Sequence, residues 1–263
     1  MAVKSPVPDS APQAPPALAL LSEWPRAAWT VGSLAFSGSL LNAAPVGDGR
    51  PVVVLPGLFN SDRSNFVLLR YLRRLGYRAE GWGLGRNLGR RVVGDDCAVL
   101  FDRMEETAGR QKDRLTLIGV SLGGIMARLV AQRRPDLVRE VITVSSPFAG
   151  SPSATNVWRA FEWITGDKIS DPAVLAMQEE VAAPLPVPAT AIWSASDGLV
   201  NGMICRADDP GCRNVEVRSS HLGVQLKPEV LRAIADVLGG VEPQVDAAPT
   251  AMPDQPGPDQ PGS

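Results

Sequence analysis

The feature that most restricts the fold is an alternation, from Pro51 onward, of short aliphatic runs with segments of helical periodicity. The aliphatic runs predict β-strands at 51–56, 77–82, 115–120, 140–145, 189–195 and 214–218. Helices are predicted at 65–75, about 95–107, 122–132 and 228–238. Strands that are aliphatic throughout are buried on both faces of a sheet. The pattern therefore indicates a mostly parallel sheet of about six strands with helices on both faces.

The two ends of the chain differ in composition from this region. Residues 1–16 and 241–263 are Pro-rich and are predicted to be disordered tails, since neither contains enough apolar surface to fold alone. The folded domain is expected to span 17–240. Within it, 17–44 is predicted to be a helical segment packed on the outside, with a targeting or membrane-contact role as the alternative. We find no convincing signal peptide and expect a cytoplasmic location.

One segment, 150–187, interrupts the alternation of strands and helices. It contains W-R-A-F-E-W-I and then the Pro-rich connection P-L-P-V-P. We predict a small helical cap over the carboxyl edge of the sheet, where open α/β sheets bind their ligands. A pair of surface helices is the alternative.

Charge and rare residues exclude several functions. The formal net charge of −2 gives no electrostatic basis for binding nucleic acid. Three cysteines are too few for a disulfide framework, and a single histidine argues against a His-rich metal site. Cys205 and Cys212 flank a turn sequence, which leaves a bridge between them open, although two reduced thiols are favoured. No metal or organic cofactor is expected.

The candidate nucleophile is Ser121, within Gly119-Val120-Ser121-Leu122-Gly123. This G-x-S-x-G match is weak alone, but it lies where a buried strand is predicted to end and a helix to begin. The turn requires unusual backbone angles at the serine, and glycines beside it allow the strand and helix to approach closely. A plain Gly-rich turn is the alternative.

A serine hydroxyl needs a general base, and the base needs an acid to orient it. The only histidine, His221, follows the last predicted strand, and Asp197 follows the strand before it. Because the carboxyl ends of parallel strands share one edge of the sheet, we expect Ser121, Asp197 and His221 to form a catalytic triad. Separately, Asp197 would be read as a turn residue and His221 as a surface residue.

An oxyanion hole requires two N–H donors. One is expected from Leu122, directly after the nucleophile, and the other from Leu58, in the L-P-G-L-F-N-S loop after the first strand. Phe59 is predicted to line the acyl pocket, together with Trp158 and Trp163 from the predicted cap.

At these residues the chain resembles the α/β-hydrolase superfamily, in particular its bacterial lipase- and esterase-like members. The resemblance covers about 51–238 and is carried by L-P-G-L-F-N-S, G-W-G-L-G-R-N-L-G (81–89), I-G-V-S-L-G-G, V-S-S-P-F-A-G, S-D-G-L-V and S-S-H-L-G. It implies the α/β-hydrolase fold, the same triad and the same oxyanion donors. Many lipases have a histidine where this chain has Pro56 and another where it has Val120. Arg86 and Asn87 are predicted either to line the site or to brace a loop.

The function expected is hydrolysis of carboxylic esters with an apolar acyl group, through an acyl-enzyme on Ser121. The expected partner is a small-molecule or lipid ester, with no nucleic acid and at most weak peripheral contact with a membrane. The oligomeric state is open. An acyltransferase with the same triad, or a non-catalytic binding protein with this fold, are the alternatives.

Overall fold

A sheet of parallel strands forms the centre of the computed structural model, which describes Pro15, Glu23, Pro25 and residues 32–34, 37–94, 96–149 and 172–243. The strands are β1 (Pro51–Leu55), β2 (Arg78–Gly81), β3 (Leu115–Val120), β4 (Val138–Val144), β5 (Ala189–Trp193) and β6 (Cys212–Glu216). They lie in the order β2-β1-β3-β4-β5-β6, and every neighbouring pair is parallel. All six predicted strands are confirmed; β6 begins and ends two residues earlier than predicted.

Helices cover both faces of this sheet. They are α1 (Gly38–Asn42), α2 (Phe66–Leu75), α3 (Arg90–Val93), α4 (Ala98–Gln111), α5 (Leu122–Arg133), α6 (Pro172–Ala182) and α7 (Pro228–Leu238). In β1, Val52 and Val54 contact the cluster that contains α2 and α7, whereas Val53 and Leu55 contact the cluster that contains α4 and α5. The alternation of side chains along a buried strand thus supplies both halves of the core.

The C-terminal part of the predicted cap packs against the sheet-covering helix α5. The guanidinium of Arg128, on α5, is fully buried and donates to the carbonyl oxygens of Val181 and Ala183 at the end of α6. Val181 and Val187 are buried in the same cluster as α5. Residues 172–187 therefore belong to the crossover between β4 and β5. Residues 150–171, with Trp158 and Trp163, lie outside the described residues, and the cap stays a prediction.

The N-terminal segment is described only in part. Its helix α1 lies against α2 and α7, where Tyr71 Oη donates to Leu41 O (3.1 Å) and Arg232 Nη1 donates to Leu40 O (3.0 Å). The two predicted disordered tails fall outside the described residues, apart from Pro15 and 241–243. Within the described ranges, no helix combines the length and apolar character that crossing a bilayer requires.

Candidate active site

Ser121 lies on a sharp turn between the end of β3 and the start of α5. Its backbone angles are φ 51° and ψ −120°, in a region that residues with a Cβ rarely adopt. The N–H of Ser121 donates to Val144 O (2.9 Å), which fixes the turn to the end of the neighbouring strand β4. This strand–turn–helix arrangement is the one expected of a nucleophile elbow.

Two glycines make this turn sterically possible. A Cβ on Gly119 would lie 2.3 Å from the Cα of Gly124, and a Cβ on Gly123 would lie 2.3 Å from the carbonyl oxygen of Leu55. Both contacts are with backbone, which cannot rotate away. The strand β1, the turn and the first turn of α5 are therefore closer together than any side chain at these two positions allows.

The three predicted catalytic side chains form a continuous line of hydrogen bonds. Nε2 of His221 lies 3.1 Å from Oγ of Ser121, and Nδ1 of His221 lies 2.7 Å from Oδ2 of Asp197. The residues come from the ends of β3, β5 and β6, which are not all adjacent in the sheet but open on the same edge. With Nδ1 protonated and facing Asp197, Nε2 is free to accept the proton of Ser121 Oγ.

Asp197 is oriented by its own loop. Its Oδ1 accepts hydrogen bonds from the N–H groups of Leu199 and Val200, both at 2.9 Å, and its side chain is 1% exposed. One carboxylate oxygen is thus used by the main chain and the other faces His221. These hydrogen bonds supply part of the solvation that the buried carboxylate loses.

Serine side chains tie the loop that carries Asp197 to the loop that carries His221. Oγ of Ser194 donates to Ser219 O (3.0 Å) and accepts from Ser219 N (3.0 Å). Oγ of Ser196 lies 3.1 Å from Oγ of Ser194 and 3.3 Å from Ser219 O. The chain segments that lead into the acid and the base are therefore fixed to each other.

The electrostatic surroundings of His221 favour its charged form. Burial lowers the pKa of the imidazole. The charge and hydrogen bond of Asp197, and then the charge of Glu23, raise this pKa by more than burial lowers it. The net result is a pKa above the ordinary histidine value of about 6.5. An imidazole with a raised pKa is a stronger base when it takes a proton from a hydroxyl.

The loop after β1 lies directly beside the serine. A Cβ on Gly57 would lie 3.3 Å from Ser121 Cβ. Among the contacts of the described residues, neither the N–H of Leu58 nor that of Leu122 donates to a protein acceptor. Leu122 is the first residue of α5, whose first N–H groups have no partner within the helix. Their role as oxyanion donors stays a prediction.

Phe59 is held in this loop in the left-handed region, with φ 63°. Its N–H donates to Asn87 O (2.8 Å), and its side chain is partly exposed to solvent. This hydrogen bond joins the loop after β1 to the Gly-rich 81–89 stretch. The contact of the Phe59 ring with an acyl chain stays a prediction.

Asn87 braces the loop after β1, whereas Arg86 is exposed to solvent. The fully buried Asn87 side chain donates to Pro56 O (2.7 Å) and accepts from Gly89 N (3.0 Å). Its backbone N–H donates to Asn60 O (2.8 Å). Asp62 holds the other side of the loop, because its carboxylate accepts from Trp82 N and Gly83 N, both at 3.1 Å. The polar residues of the Gly-rich 81–89 stretch were the signal for this support.

Glu23 contacts the site but was not predicted to do so. Its fully buried carboxylate accepts hydrogen bonds from the main chain of both loops that carry Asp197 and His221. The only sequence signal was an acidic residue inside an apolar segment.

Across the described ranges, no group of three or more His, Cys, Asp or Glu side chains is placed to hold a metal ion. Cys97, Cys205 and Cys212 are all buried and free. Cys205 and Cys212, which flank the turn sequence, are therefore not joined by a disulfide. Burial raises the pKa of each thiol.

Comparison with known proteins agrees with this architecture. Residues 103–200 match the family model of the alpha/beta hydrolase fold. The crystal structure of the Paleococcus ferrophilus monoacylglycerol lipase is 17% identical, covers 75% of this chain and 96% of its own, and has a TM-score of 0.55. A structure of the metagenome-derived lipolytic enzymes LipS and LipT is also 17% identical, with coverage of 74% and 95% and a TM-score of 0.54.

A thioesterase domain from the curacin biosynthetic pathway is 14% identical, covers 74% of this chain and 90% of its own, and has a TM-score of 0.51. Among curated proteins, no sequence matches this chain. At such low identity the structural likeness defines the fold and not the substrate. The sheet, the elbow and the matched family model together identify a protein of the α/β-hydrolase fold.

Proposed function

We propose that this protein is a serine hydrolase that cleaves carboxylic esters with an apolar acyl group, through an acyl-enzyme on Ser121. One observation carries the proposal: Ser121 Oγ, His221 and Asp197 lie in hydrogen-bonded order at 3.1 and 2.7 Å on a strained strand-to-helix turn. In this arrangement a buried acid orients a base with a raised pKa, and the base faces a serine at the carboxyl edge of the sheet. Such a chain of hydrogen bonds activates the serine hydroxyl for attack.

The acylation half of the reaction follows from these positions. His221 Nε2 takes the proton of Ser121 Oγ as the oxygen attacks the ester carbonyl carbon. The carbonyl oxygen becomes an oxyanion that accepts hydrogen bonds from Leu58 N–H and Leu122 N–H. The imidazolium then gives its proton to the alkoxide leaving group, the C–O bond breaks, and the alcohol departs from the acyl-enzyme.

Deacylation uses the same groups with water in place of serine. His221 takes a proton from water as the water oxygen attacks the acyl carbon. It then returns that proton to Ser121 Oγ as the acyl–oxygen bond breaks, which releases the carboxylic acid. Asp197 keeps Nδ1 protonated throughout and stabilises the imidazolium formed in each half.

The preference for an apolar acyl group is supported by the residues beside the serine. Leu58 and Phe59 lie in the neighbouring loop, and Leu122 follows the nucleophile. Trp158 and Trp163 are proposed to extend this surface from the segment outside the described residues. Lipolytic enzymes and a thioesterase domain share the fold, so both oxygen esters and thioesters belong in the substrate panel.

The first test is labelling with a fluorophosphonate, followed by intact mass measurement and peptide mapping. We expect one adduct on Ser121, with loss of fluoride, and none in Ser121→Ala. Wild-type protein should hydrolyse p-nitrophenyl esters, and Ser121→Ala should lose that activity by at least about 10³-fold. Full activity in Ser121→Ala contradicts the mechanism.

Two further outcomes separate the alternatives. Transfer of the acyl group to an added alcohol, in preference to water, indicates an acyltransferase. An unlabelled, inactive wild-type protein indicates a binding protein that keeps the hydrolase fold.

A further inference from the structure

Glu23 is a buried carboxylate brought to the site from the N-terminal segment. Glu23 is 0% exposed, and it lies 175 residues before Gly198 and 199 residues before Leu222 in the chain. Removing a carboxylate from water is strongly unfavourable unless hydrogen bonds replace its hydration. The hydrogen bonds that replace the lost hydration of the Glu23 carboxylate therefore indicate which groups hold it in this position.

Both oxygens of this carboxylate accept hydrogen bonds from the main chain of the two catalytic loops. Oε1 accepts from Gly198 N at 2.9 Å, and Oε2 accepts from Leu222 N at 2.9 Å. Gly198 directly follows Asp197, and Leu222 directly follows His221. One side chain thus joins the two loops at the residues next to the predicted acid and base.

These hydrogen bonds complete a second tie between the loops. Ser194 and Ser219 join the loops on the side that precedes Asp197 and His221. Glu23 joins them on the side that follows. The 2.7 Å contact between Asp197 and His221 therefore lies between two fixed points, which restricts the position of the imidazole. A misplacement of about 1 Å in such a contact can lower a rate by about 100-fold.

The charge of Glu23 also acts on the base. Burial lowers the pKa of His221, and Asp197 raises it. Glu23 is the second charged group that raises this pKa. Among the described residues, Asp197 and Glu23 are therefore the charged groups that set this pKa.

We propose that Glu23 is a positioning residue that holds the Asp197 and His221 loops in register by accepting a hydrogen bond from each. The assignment rests on the proposed serine-hydrolase function. It gives the N-terminal segment a part in catalysis without contact with the substrate.

The test is Glu23→Gln in the full-length chain, assayed on a p-nitrophenyl ester. The amide keeps the shape of the side chain but has one oxygen acceptor where the carboxylate has two, and it has no charge. We expect kcat to fall about 10- to 100-fold with little change in KM, since the substrate is not touched. The acid limb of the pH profile should move to lower pH, because a charge that raises the pKa of His221 is gone.

Glu140→Gln is the matched control. Glu140 lies near the start of β4, at the opposite end of the sheet, where its carboxylate accepts from Arg50 and Thr116. The same chemical change there should lower the melting temperature and leave kcat and the acid limb unchanged. If Glu23→Gln behaves like Glu140→Gln, with both kinetic readouts unchanged, the positioning role is wrong.

A measurement on the wild-type protein covers the case in which Glu23→Gln does not fold. The amide protons of Gly198 and Leu222, assigned by NMR, should exchange slowly with solvent. Exchange at the rate of an open loop would overturn the proposal. The failure of the proposed function is distinguishable, because an active Ser121→Ala contradicts the mechanism whatever Glu23 does.

Discussion

Asp197 divides its two carboxylate oxygens between the main chain and His221. Oδ1 accepts from Leu199 N and Val200 N, and Oδ2 lies 2.7 Å from His221 Nδ1. In Asp197→Asn, the amide oxygen keeps the main-chain bonds and the NH2 group faces Nδ1. Nδ1 must then accept a hydrogen bond, so the proton moves to Nε2 and Ser121 loses its base. We expect kcat to fall by about 10⁴-fold on a p-nitrophenyl ester.

The control for this substitution is Asp236→Asn. The Asp236 side chain is also 1% exposed, but it pairs with Arg232 on α7, away from the site. It should keep its kcat while losing thermal stability. Activity of Asp197→Asn within tenfold of wild type would contradict the role of Asp197.

The pH dependence of kcat/KM should report the state of His221. The pKa of this imidazole is raised, because Asp197 and Glu23 outweigh burial, and only its neutral form takes the proton of Ser121. Activity should therefore rise with pH through a midpoint above the ordinary histidine value of about 6.5. Since the chain contains one histidine, its ring NMR signals give the same pKa without assignment, provided that no His-tag remains. A midpoint below 6 would contradict the electrostatics described above.

Gly123 should not tolerate a methyl group. In Gly123→Ala, the new Cβ would lie 2.3 Å from Leu55 O, so β1 or α5 must shift. We expect a loss of about 1–3 kcal/mol in the free energy of unfolding, and at least a 100-fold loss of kcat because Ser121 moves with the elbow. Chemical denaturation and ester hydrolysis measure the two effects.

Gly109→Ala is the matched control, since a Cβ at this exposed position of α4 meets nothing within 4 Å. It should raise the free energy of unfolding by about 0.5–1 kcal/mol and leave kcat unchanged. Equal behaviour of the two alanine variants would show that the close approach at Gly123 is not needed.

Asn87 should affect kcat indirectly, because it braces the loop that carries Leu58. Asn87→Ala leaves Pro56 O and Gly89 N without their side-chain partner in a buried place. We expect a loss of about 1–3 kcal/mol in stability, and a lower kcat because Leu58 N–H moves away from the oxyanion. In Asn214→Ala, a similar pair of hydrogen bonds to Ala207 is lost at a more exposed position in the middle of β6. That variant should keep its kcat, and an unchanged kcat in Asn87→Ala would remove the bracing role.

The three thiols should be reduced and unreactive in the native protein. All are buried, and burial raises the pKa of each, so little thiolate is available. Ellman's reagent should label none of them at pH 8 before unfolding and all three in denaturant without reductant. One reactive thiol in denaturant would instead indicate a bridge between two of them.

The strands and the catalytic candidates were predictable for the same physical reason. Runs such as L-T-L-I-G-V are aliphatic enough to be buried on both faces, which requires parallel strands with helices between them. Parallel strands end at one edge, so residues after β3, β5 and β6 meet there whatever lies between them in sequence. Ser121, Asp197 and His221 were therefore placed together without knowledge of the strand order.

The supporting residues were not predictable in this way. Asn87 lies in a Gly-rich loop whose path no periodicity defines, and lining and bracing were equally consistent with the sequence. Glu23 reaches its partners across 175 and 199 residues, and a carboxylate in an apolar segment is as consistent with a solvated helix face. Whether it is buried depends on how that segment packs, which propensity does not encode.

Sequence alone thus determined the layered α/β architecture, the glycines of the turn at Ser121 and the chain order of the candidate serine, acid and base, because each depends on local patterns and on the common edge of parallel strands. Tertiary structure alone decided the 2.7 and 3.1 Å contacts, the bracing of the loop after β1 and the burial of Glu23 between two loops. These depend on long-range packing, in which a few tenths of an ångström decide whether a hydrogen bond forms.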